Sequence, residues 1–384
     1  MRFFNRLANL LLLPLLSAAA FCQTAPAPAK TPDLVVFTNG EQLTGELEKA
    51  TGAGITFKSN MAGEINVPWK NIKTLHSSKS FAILTAKQKL TRKDALADVP
   101  QGQISAEDAK ITVTNPAGAQ KTIPVADASQ LLDSGAFTKA VNHPPGLLGG
   151  WAGAATGGVS LVRATQDSTT FNGAINLVRA TPGVDWLPAR NRSIIGYSQS
   201  YGTTSQTGTA TVKTNIFHAN GEQDEYFSPR VYAFGSVTFD HNFSQNLDLQ
   251  QAYGGGIGIT LLKSAKQQLD FKGDAQYTKE DFFTSPSSPA PSQNVNLFGS
   301  TFSETYLRHL VKGLVLNEFG SVTPAYNISS DYSAHVNANF VFPVYKGLGF
   351  NFGAVDDYLN NAPVGSKKNS TQFTTGITYT IKPR

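Results

Sequence analysis

The sequence predicts an all-β protein: an antiparallel transmembrane β-barrel of about twelve strands, preceded by a small all-β domain. Three observations carry that expectation. From Trp151 to the C-terminus, short runs in which every second residue is apolar are separated by polar turns, and period two is that of a strand with one oily and one wet face. No long apolar helix follows the N-terminal segment, and a closed barrel is the other structure that satisfies every backbone hydrogen bond inside lipid. Finally, 34 Gly, 24 Phe and 12 Tyr against a charged fraction of 15% suit a lipid-embedded sheet, and all twelve tyrosines lie at or beyond Tyr197.

Taken in chain order, residues 1–22 read as an export signal. Arg2 and Arg6 precede the apolar run from Leu10 to Ala20, and small residues follow. Cleavage after Ala20 or Cys22 fits the small-residue rule, whereas lipidation of Cys22 is disfavoured by Phe21 before it. Cys22 is the single cysteine, so neither an internal disulfide nor a cysteine-rich metal site is expected. Residues 23–32, QTAPAPAKTP, read as an extended linker.

Residues 33–132 are expected to fold as a periplasmic β-module with an internal duplication. LVVFTNGEQLT from Leu34 aligns with FAILTAKQKLT from Phe81, and ITFKSNMAGEINVPWKNIKTL from Ile55 aligns with ITVTNPAGAQKTIPVADASQL from Ile111. Ile55 then meets Ile111, Val67 meets Ile123 and Leu75 meets Leu131. Each copy reads as three strands and two turns, with Asn39 and Gly40 forming a hairpin turn, and the copies are expected to pack face to face. These positions are core-like, so a compact spacer is favoured over a ligand site, and Trp69 reads as a core or capping aromatic. Residues 133–150, containing NHPPGLLGG, read as a second linker.

Residues 151–384 are assigned to the barrel. Strands are expected at Trp151–Val162, Thr169–Arg179, Ser193–Tyr201, Thr209–His218, Val231–Asp240, Asp248–Leu261, Gln268–Glu280, Asn294–Arg308, Leu314–Ala325, Asp331–Val344, Leu348–Tyr358 and Thr371–Ile381. The clearest oily face is Ala334, Val336, Ala338, Phe340, Phe342 and Val344, opposite Ser333, His335, Asn337 and Asn339. In the segment from Gln268, Asp270, Lys272, Asp274 and Glu280 share a face with Gln276 and Thr278. A cation facing lipid at the midplane costs about 2–4 kcal/mol and a carboxylate somewhat less, so this polar face is expected to line an aqueous lumen. Tyr226, Phe227, Phe282, Phe283, Tyr326, Tyr332, Tyr345 and Tyr358 near segment ends read as interfacial girdles. With both barrel termini at one end, Thr181–Arg192 and Ala219–Arg230 are expected to be long connections at that same end.

The chemical motifs are sparse. His76, His143, His218, His241, His309 and His335 show no metal-binding spacing, glycines 254, 255, 256 and 258 lie within a strand rather than a phosphate loop, and no GxSxG elbow occurs. Asp240 with His241 and Asp356 with Asp357 read as a solvated rim. No cofactor and no catalytic or metal-ligating residue is assigned, and the net charge of +5 with scattered Lys and Arg gives no reason to expect nucleic acid.

GWAGAATGGVSL from Gly150, SPRVYAFGSVTFDHNFSQNLDLQQAYGGGIGITLL from Ser228 and DDYLNNAPVGSKKNSTQFTTGITYTI from Asp356 resemble the domain-of-unknown-function family numbered 481, whose members are often labelled salt-induced outer-membrane proteins. DLVVFTNGEQLTGEL from Asp33 is similar to what often precedes that domain. The resemblance implies the cell outer membrane, lipid around the barrel and a possible link to salt or osmotic stress, and names no reaction. Gln250 and Gln251 stand where it leads one to expect an arginine, and Asn369 where it leads one to expect an aspartate. The ending TTGITYTI resembles the C-terminal signal read by the barrel-assembly machinery, here followed by Lys382, Pro383 and Arg384. The expected function is a structural or pore-like envelope protein without enzymatic activity. The alternatives are an outer-membrane lipid hydrolase using His335 with a serine on a neighbouring strand, or a tether whose N-terminal module binds a periplasmic partner.

Overall fold

The protein is described by a computed structural model covering residues 31–85, 99–142, 146–163, 166–184, 186–206, 208, 211–283, 294–328, 331–363 and 366–383. The export segment with Cys22, most of the first linker and His143 lie outside the described residues. The chain divides into two compact units, 1–135 and 136–384.

The first unit is a sheet of nine strands: β1 (Asp33–Phe37), β2 (Gln42–Thr51), β3 (Gly54–Ser59), β4 (Gly63–Pro68), β5 (Ile72–Thr85), β6 (Gln101–Glu107), β7 (Lys110–Thr114), β8 (Gln120–Pro124) and β9 (Ala128–Asp133). Gly40, at φ +88°, takes the left-handed turn between β1 and β2 that a side chain would strain. The duplication is visible in space, with one correction. The copies do not pack face to face; they exchange strands. Ala50 of β2 pairs with Leu131 of β9, and its counterpart Ala106 of β6 pairs with Leu75 of β5. The fourteen-residue strand β5 belongs to both copies, its first half pairing with β1 and its second with β9. The pairings β2–β1–β5–β6–β5–β9–β2 therefore close on themselves. Inside lie Ile55 and Ile111, Leu75 and Leu131, Val67 and Ile123, and Phe57 and Val113, which are the aligned positions of the two copies. Trp69 packs against this core while its Nε1 donates to the carbonyl of Thr51 at 2.7 Å. The buried carboxylate of Asp33 accepts from the Leu47 amide (2.8 Å) and the Ser77 hydroxyl (2.7 Å), tying β1 to β2 and β5.

The segment expected to be the second linker contains a helix, α1 (Ser134–Asn142). The helix buries Phe137 and Val141, four apart and so on one helical face, and Phe137 stacks on Trp186 at 5.4 Å.

The second unit contains β10 (Trp151–Arg163), β11 (Gln166–Thr181), β12 (Asn191–Gln206), β13 (Val212–Tyr226), β14 (Val231–Asn242), β15 (Leu247–Lys263), β16 (Gln267–Phe282), β17 (Val295–Gly299), β18 (Phe302–His309), β19 (Val315–Pro324), β20 (Tyr332–Tyr345), β21 (Leu348–Leu359) and β22 (Asn369–Ile381). Each pairs antiparallel with its neighbour, and β22 returns to β10, Ile381 opposite Gly153 and Ile377 opposite Gly157. β17 and β18 both pair with β16 and form one interrupted strand, so the wall is a closed meander of twelve. Asp274 bridges the interruption: its Oδ1 accepts from the Thr301 amide at 2.6 Å. The outward rows are apolar and exposed, for example Ile257 (64%), Phe350 (59%), Phe373 (70%) and Val344 (64%), which is the reverse of a water-soluble sheet and what lipid requires.

Two expectations about loops and girdles change. Ala219–Arg230 is not a long connection, because β13 continues to Tyr226 and pairs with both neighbours. Only residues 227–230 connect it to β14; the longer connection, 182–190, carries the Trp186 that meets α1. Among the expected girdle aromatics, Phe227, Tyr326, Tyr332 and Tyr345 are exposed. Tyr226 and Phe282 are not girdle residues: alternation puts them on the sides shared by Asp224 and Glu280, and Phe282 is buried with Leu247 and Leu359.

Since Leu75 and Leu131 are symmetry-related and fully buried, Leu75→Ala and Leu131→Ala should each destabilise the module by about 3 kcal/mol. Hydrogen exchange of module amides in the full-length chain measures both, and a large inequality contradicts the exchanged-strand symmetry. For the barrel, the full-length chain should need detergent to stay soluble and should migrate differently on a gel before and after boiling.

Candidate functional site: the barrel lumen

Alternation along β12, β13 and β16 places Arg192, Glu222, Asp224, Asp270 and Lys272 on the inward side, where they meet one another. The guanidinium of Arg192 donates through Nε to Asp224 Oδ2 (2.5 Å) and through Nη1 to Asp270 Oδ2 (3.0 Å). Asp270 lies on β16, four strand positions from Arg192 around the wall, so this fork crosses the lumen. Lys272 Nζ donates to both carboxylate oxygens of Glu222 at 2.7 Å, a second crossing between β16 and β13. Arg192 also sits over the rings of Tyr232 (5.0 Å) and Tyr226 (5.8 Å). Tyr232 is fully buried because its partner across the ladder is Gly258, where a Cβ would lie 2.2 Å from the tyrosine Cζ. Two carboxylates on one guanidinium satisfy the rule that buried charges be paired, and the planar guanidinium offers a separate nitrogen to each.

Farther along the barrel, two histidine–aspartate pairs approach from opposite walls. His218 Nδ1 is 2.5 Å from Asp240 Oδ1, and His335 Nδ1 is 2.6 Å from Asp357 Oδ1. The rings of His218 on β13 and His335 on β20 stack at 5.6 Å and 15°, and Phe319 packs on His335 at 5.6 Å. β13 and β20 stand diametrically opposite in the ring of strands, so their contact bridges the lumen at this level.

Beyond them Glu280, 1% exposed, accepts from Gln250 Nε2 (2.7 Å) and Asn361 Nδ2 (2.6 Å). Gln250 thus holds a buried carboxylate from a position where the family resemblance suggests arginine. Gln245, in the turn after β14, donates to the carbonyls of Asp357 (3.1 Å) and Lys368 (2.9 Å), joining opposite sides of that end.

Of the four residues expected in the lumen, Asp270 and Lys272 lie in the cross-lumen cluster, Asp274 holds the strand interruption and Glu280 lies in the amide-bound end. Asp240 and Asp357, expected at a solvated rim, instead face inward onto the histidines, because β14 and β21 continue past them. His241 faces the other way, its Nε2 3.0 Å from Asn215 Nδ2 and its Nδ1 2.5 Å from the carbonyl of Asp248. Ser321 is the ladder partner of His335, and no hydrogen bond joins its hydroxyl to that ring among the described residues. No group of three His, Cys, Asp or Glu suited to a metal ion occurs among the described residues. Sequence reading missed Arg192, Glu222, Asp224 and Tyr232 in this role, since the partners are 32 to 78 residues apart and only the closed ring brings them together.

The profile of a family described as a protein of unknown function, DUF481, matches residues 155–381. No curated protein matches the chain. Among solved structures, the chain is similar to the translocator domain of autotransporter NalP from Neisseria meningitidis, with 13% identity, a TM-score of 0.34 and coverage of 64% of this chain and 94% of that one. It is also similar to the β domain of the Bordetella autotransporter BrkA, with 12% identity, a TM-score of 0.29 and coverage of 61% and 98%. At these scores neither likeness bears on what the lumen does. The family match spans more than half of the chain and coincides with the closed twelve-stranded wall, and the chain belongs to the DUF481 family.

Proposed function

We propose that the protein is a structural barrel of the bacterial outer membrane whose lumen is shut at rest, with its N-terminal module in the periplasm. The observation that carries this reading is the stack of His218 on His335 from opposite walls, backed by the Arg192 fork between Asp224 and Asp270. A passive pore needs an unobstructed water-filled path, and at these two levels side chains reach across it. The inward position of His335 supports a non-enzymatic reading over a lipid hydrolase, because acyl substrates lie outside the wall. The tether is a second reading, favoured by β4 and β8, which each have one paired neighbour among the described residues and to which a partner strand could add. A link to salt or osmotic stress rests on the family resemblance, and growth of a deletion strain in high salt tests it.

In planar bilayers the full-length wild-type protein should conduct far less than an open porin, and His218→Ala with His335→Ala should raise the conductance. Inward-facing Glu222, Asp224, Asp240, Asp270, Asp274, Glu280 and Asp357 outnumber Arg192 and Lys272, so the current through that variant should be carried by cations in preference to anions. A wild type that conducts like a porin overturns the proposal. The tether reading predicts instead that deleting residues 33–132 releases a periplasmic partner with no change in conductance.

A further inference from the structure

Charged residues on the outward wall lie at two kinds of depth. Glu225, Asp356 and Lys279 with Asp281 sit toward strand ends, where Asp356 accepts from the Thr371 hydroxyl and Lys279 pairs with Asp281 at 2.8 Å. Glu304 and Glu318 sit deeper. On β20 the outward row runs from Phe342 to Ala334 with Ala338 at its middle, and Glu318 is the ladder partner of Ala338. Glu304 is the ladder partner of Gly320, two residues along β19 from Glu318. In strands tilted by about 40°, depth changes by about 2.5 Å per residue and about 3 Å per neighbouring strand. Followed along the ladders, both carboxyl groups fall within about 3 Å of the depth of Ala338, whereas Glu225, Asp356 and Lys279 fall about 8 to 15 Å from it. Glu304, Glu318 and Arg308 have no hydrogen-bond or ion-pair partner among the described residues. Ionisable groups at bilayer depth pair with protein groups rather than with acyl chains.

A second copy inserted in the same direction is related to the first by a two-fold axis along the bilayer normal, and rotation about that axis leaves depth unchanged. Each residue of such an interface therefore meets residues of its own depth. Because the strands tilt, Glu304 on the neighbouring strand and Glu318 two residues back along β19 fall on opposite sides of Gly320, at nearly equal depth. An axis through Gly320 thus sets Glu304 of each copy against Glu318 of the other. It also sets Gly320 against Gly320, on the floor of the groove that Gly273 and Gly320 leave in the wall, where bare backbone lets two walls approach. Phe302, 55% exposed, then falls opposite the small side chain of Ala338 of the second copy. The face is also self-complementary in charge. Each copy brings two carboxyl groups and, nearer the rim on the same row of β18, the guanidinium of Arg308. One proton shared within each Glu304–Glu318 pair and one Arg308 per copy leave the interface without net charge.

We propose that the outward face of β18 and β19 binds a second copy of this chain, with Glu304 of each copy hydrogen-bonded to Glu318 of the other and Gly320 on the two-fold axis. This pairing rests on the bilayer placement and is independent of whether the lumen is shut. Native mass spectrometry of the full-length chain folded in detergent should show a dimer. Glu304→Leu with Glu318→Leu should weaken it by about tenfold or more, whereas Glu304→Gln with Glu318→Gln should stay within about threefold of wild type, because amides hydrogen-bond one another. Gly320→Leu, which holds the walls apart, should weaken it as the leucine pair does. In lipid vesicles, oxidation of Cys22→Ser chains should join copies through Gly320→Cys and leave Val159→Cys, on the opposite wall, unjoined. Boiling-dependent gel mobility confirms that each variant is folded, and the wild-type mass stands if a variant fails to fold. A monomeric wild type, a dimer indifferent to the leucine pair and to Gly320→Leu, or cross-linking at Val159→Cys in place of Gly320→Cys would overturn the interface while leaving the bilayer placement intact. A chain that stays folded and monomeric without detergent would instead remove the bilayer itself.

Discussion

Everything in the second unit depends on closure. Inside lipid an unpaired backbone N–H or C=O has no water to turn to, so a sheet that crosses a bilayer cannot keep an edge. The β10–β22 ladder removes it, joining the two ends of the meander with Ile381 opposite Gly153. Once the ring is closed, each strand's two faces have fixed destinations. One meets acyl chains, and the other meets whatever the opposite wall presents. The residues facing inward then have only water and each other as partners, and Arg192 meets Asp270 across 78 residues of sequence while His218 meets His335 from the opposite side.

Much of this architecture was legible because the physics that builds the wall acts on every second residue. The twelve expected strands correspond to the twelve positions around the ring, and the alternation at Ser333–Val344 reappears as Val336, Phe342 and Val344 exposed, with His335 turned inward. The failures share a cause. Ala219–Tyr226 looked like a loop because its inward residues are Asn220, Glu222 and Asp224 and its outward ones Ala219, Gly221, Gln223 and Glu225, so hydropathy does not alternate where the backbone does. Tyr226 and Phe282 were placed at an interface by residue type, and the parity of their strands sends them inside.

The lumen contacts were not legible, for a different reason. Which residues oppose one another depends on ring order and register, and neither is encoded near the residues concerned. The module shows the same limit. The repeat spacing identifies Ile55 with Ile111 and Leu75 with Leu131, but that Leu75 pairs with Ala106 of the other copy and Leu131 with Ala50 follows only from the closed path through β5.

The cross-lumen charges bear on why such a wall keeps them at all. Burying an ion pair costs about as much desolvation as its attraction returns, and apolar residues of equal volume often do as well or better. Stability alone would therefore not favour Arg192, Asp224, Asp270, Lys272 and Glu222 over leucines. Register would. A one-residue slip turns a whole strand inside out. In an apolar lumen that slip exchanges one oily face for another at little loss. With Asp270, Lys272 and Asp274 alternating with Phe271 and Gly273, it drives ions into acyl chains, at about 2–4 kcal/mol for the lysine and somewhat less for each carboxylate. The same displacement strips Arg192 and Glu222 of their partners across the lumen. The charged interior thus penalises any closure of the ring misregistered by an odd number of residues far more than it stabilises the correct one, and the facing of each strand follows from that difference.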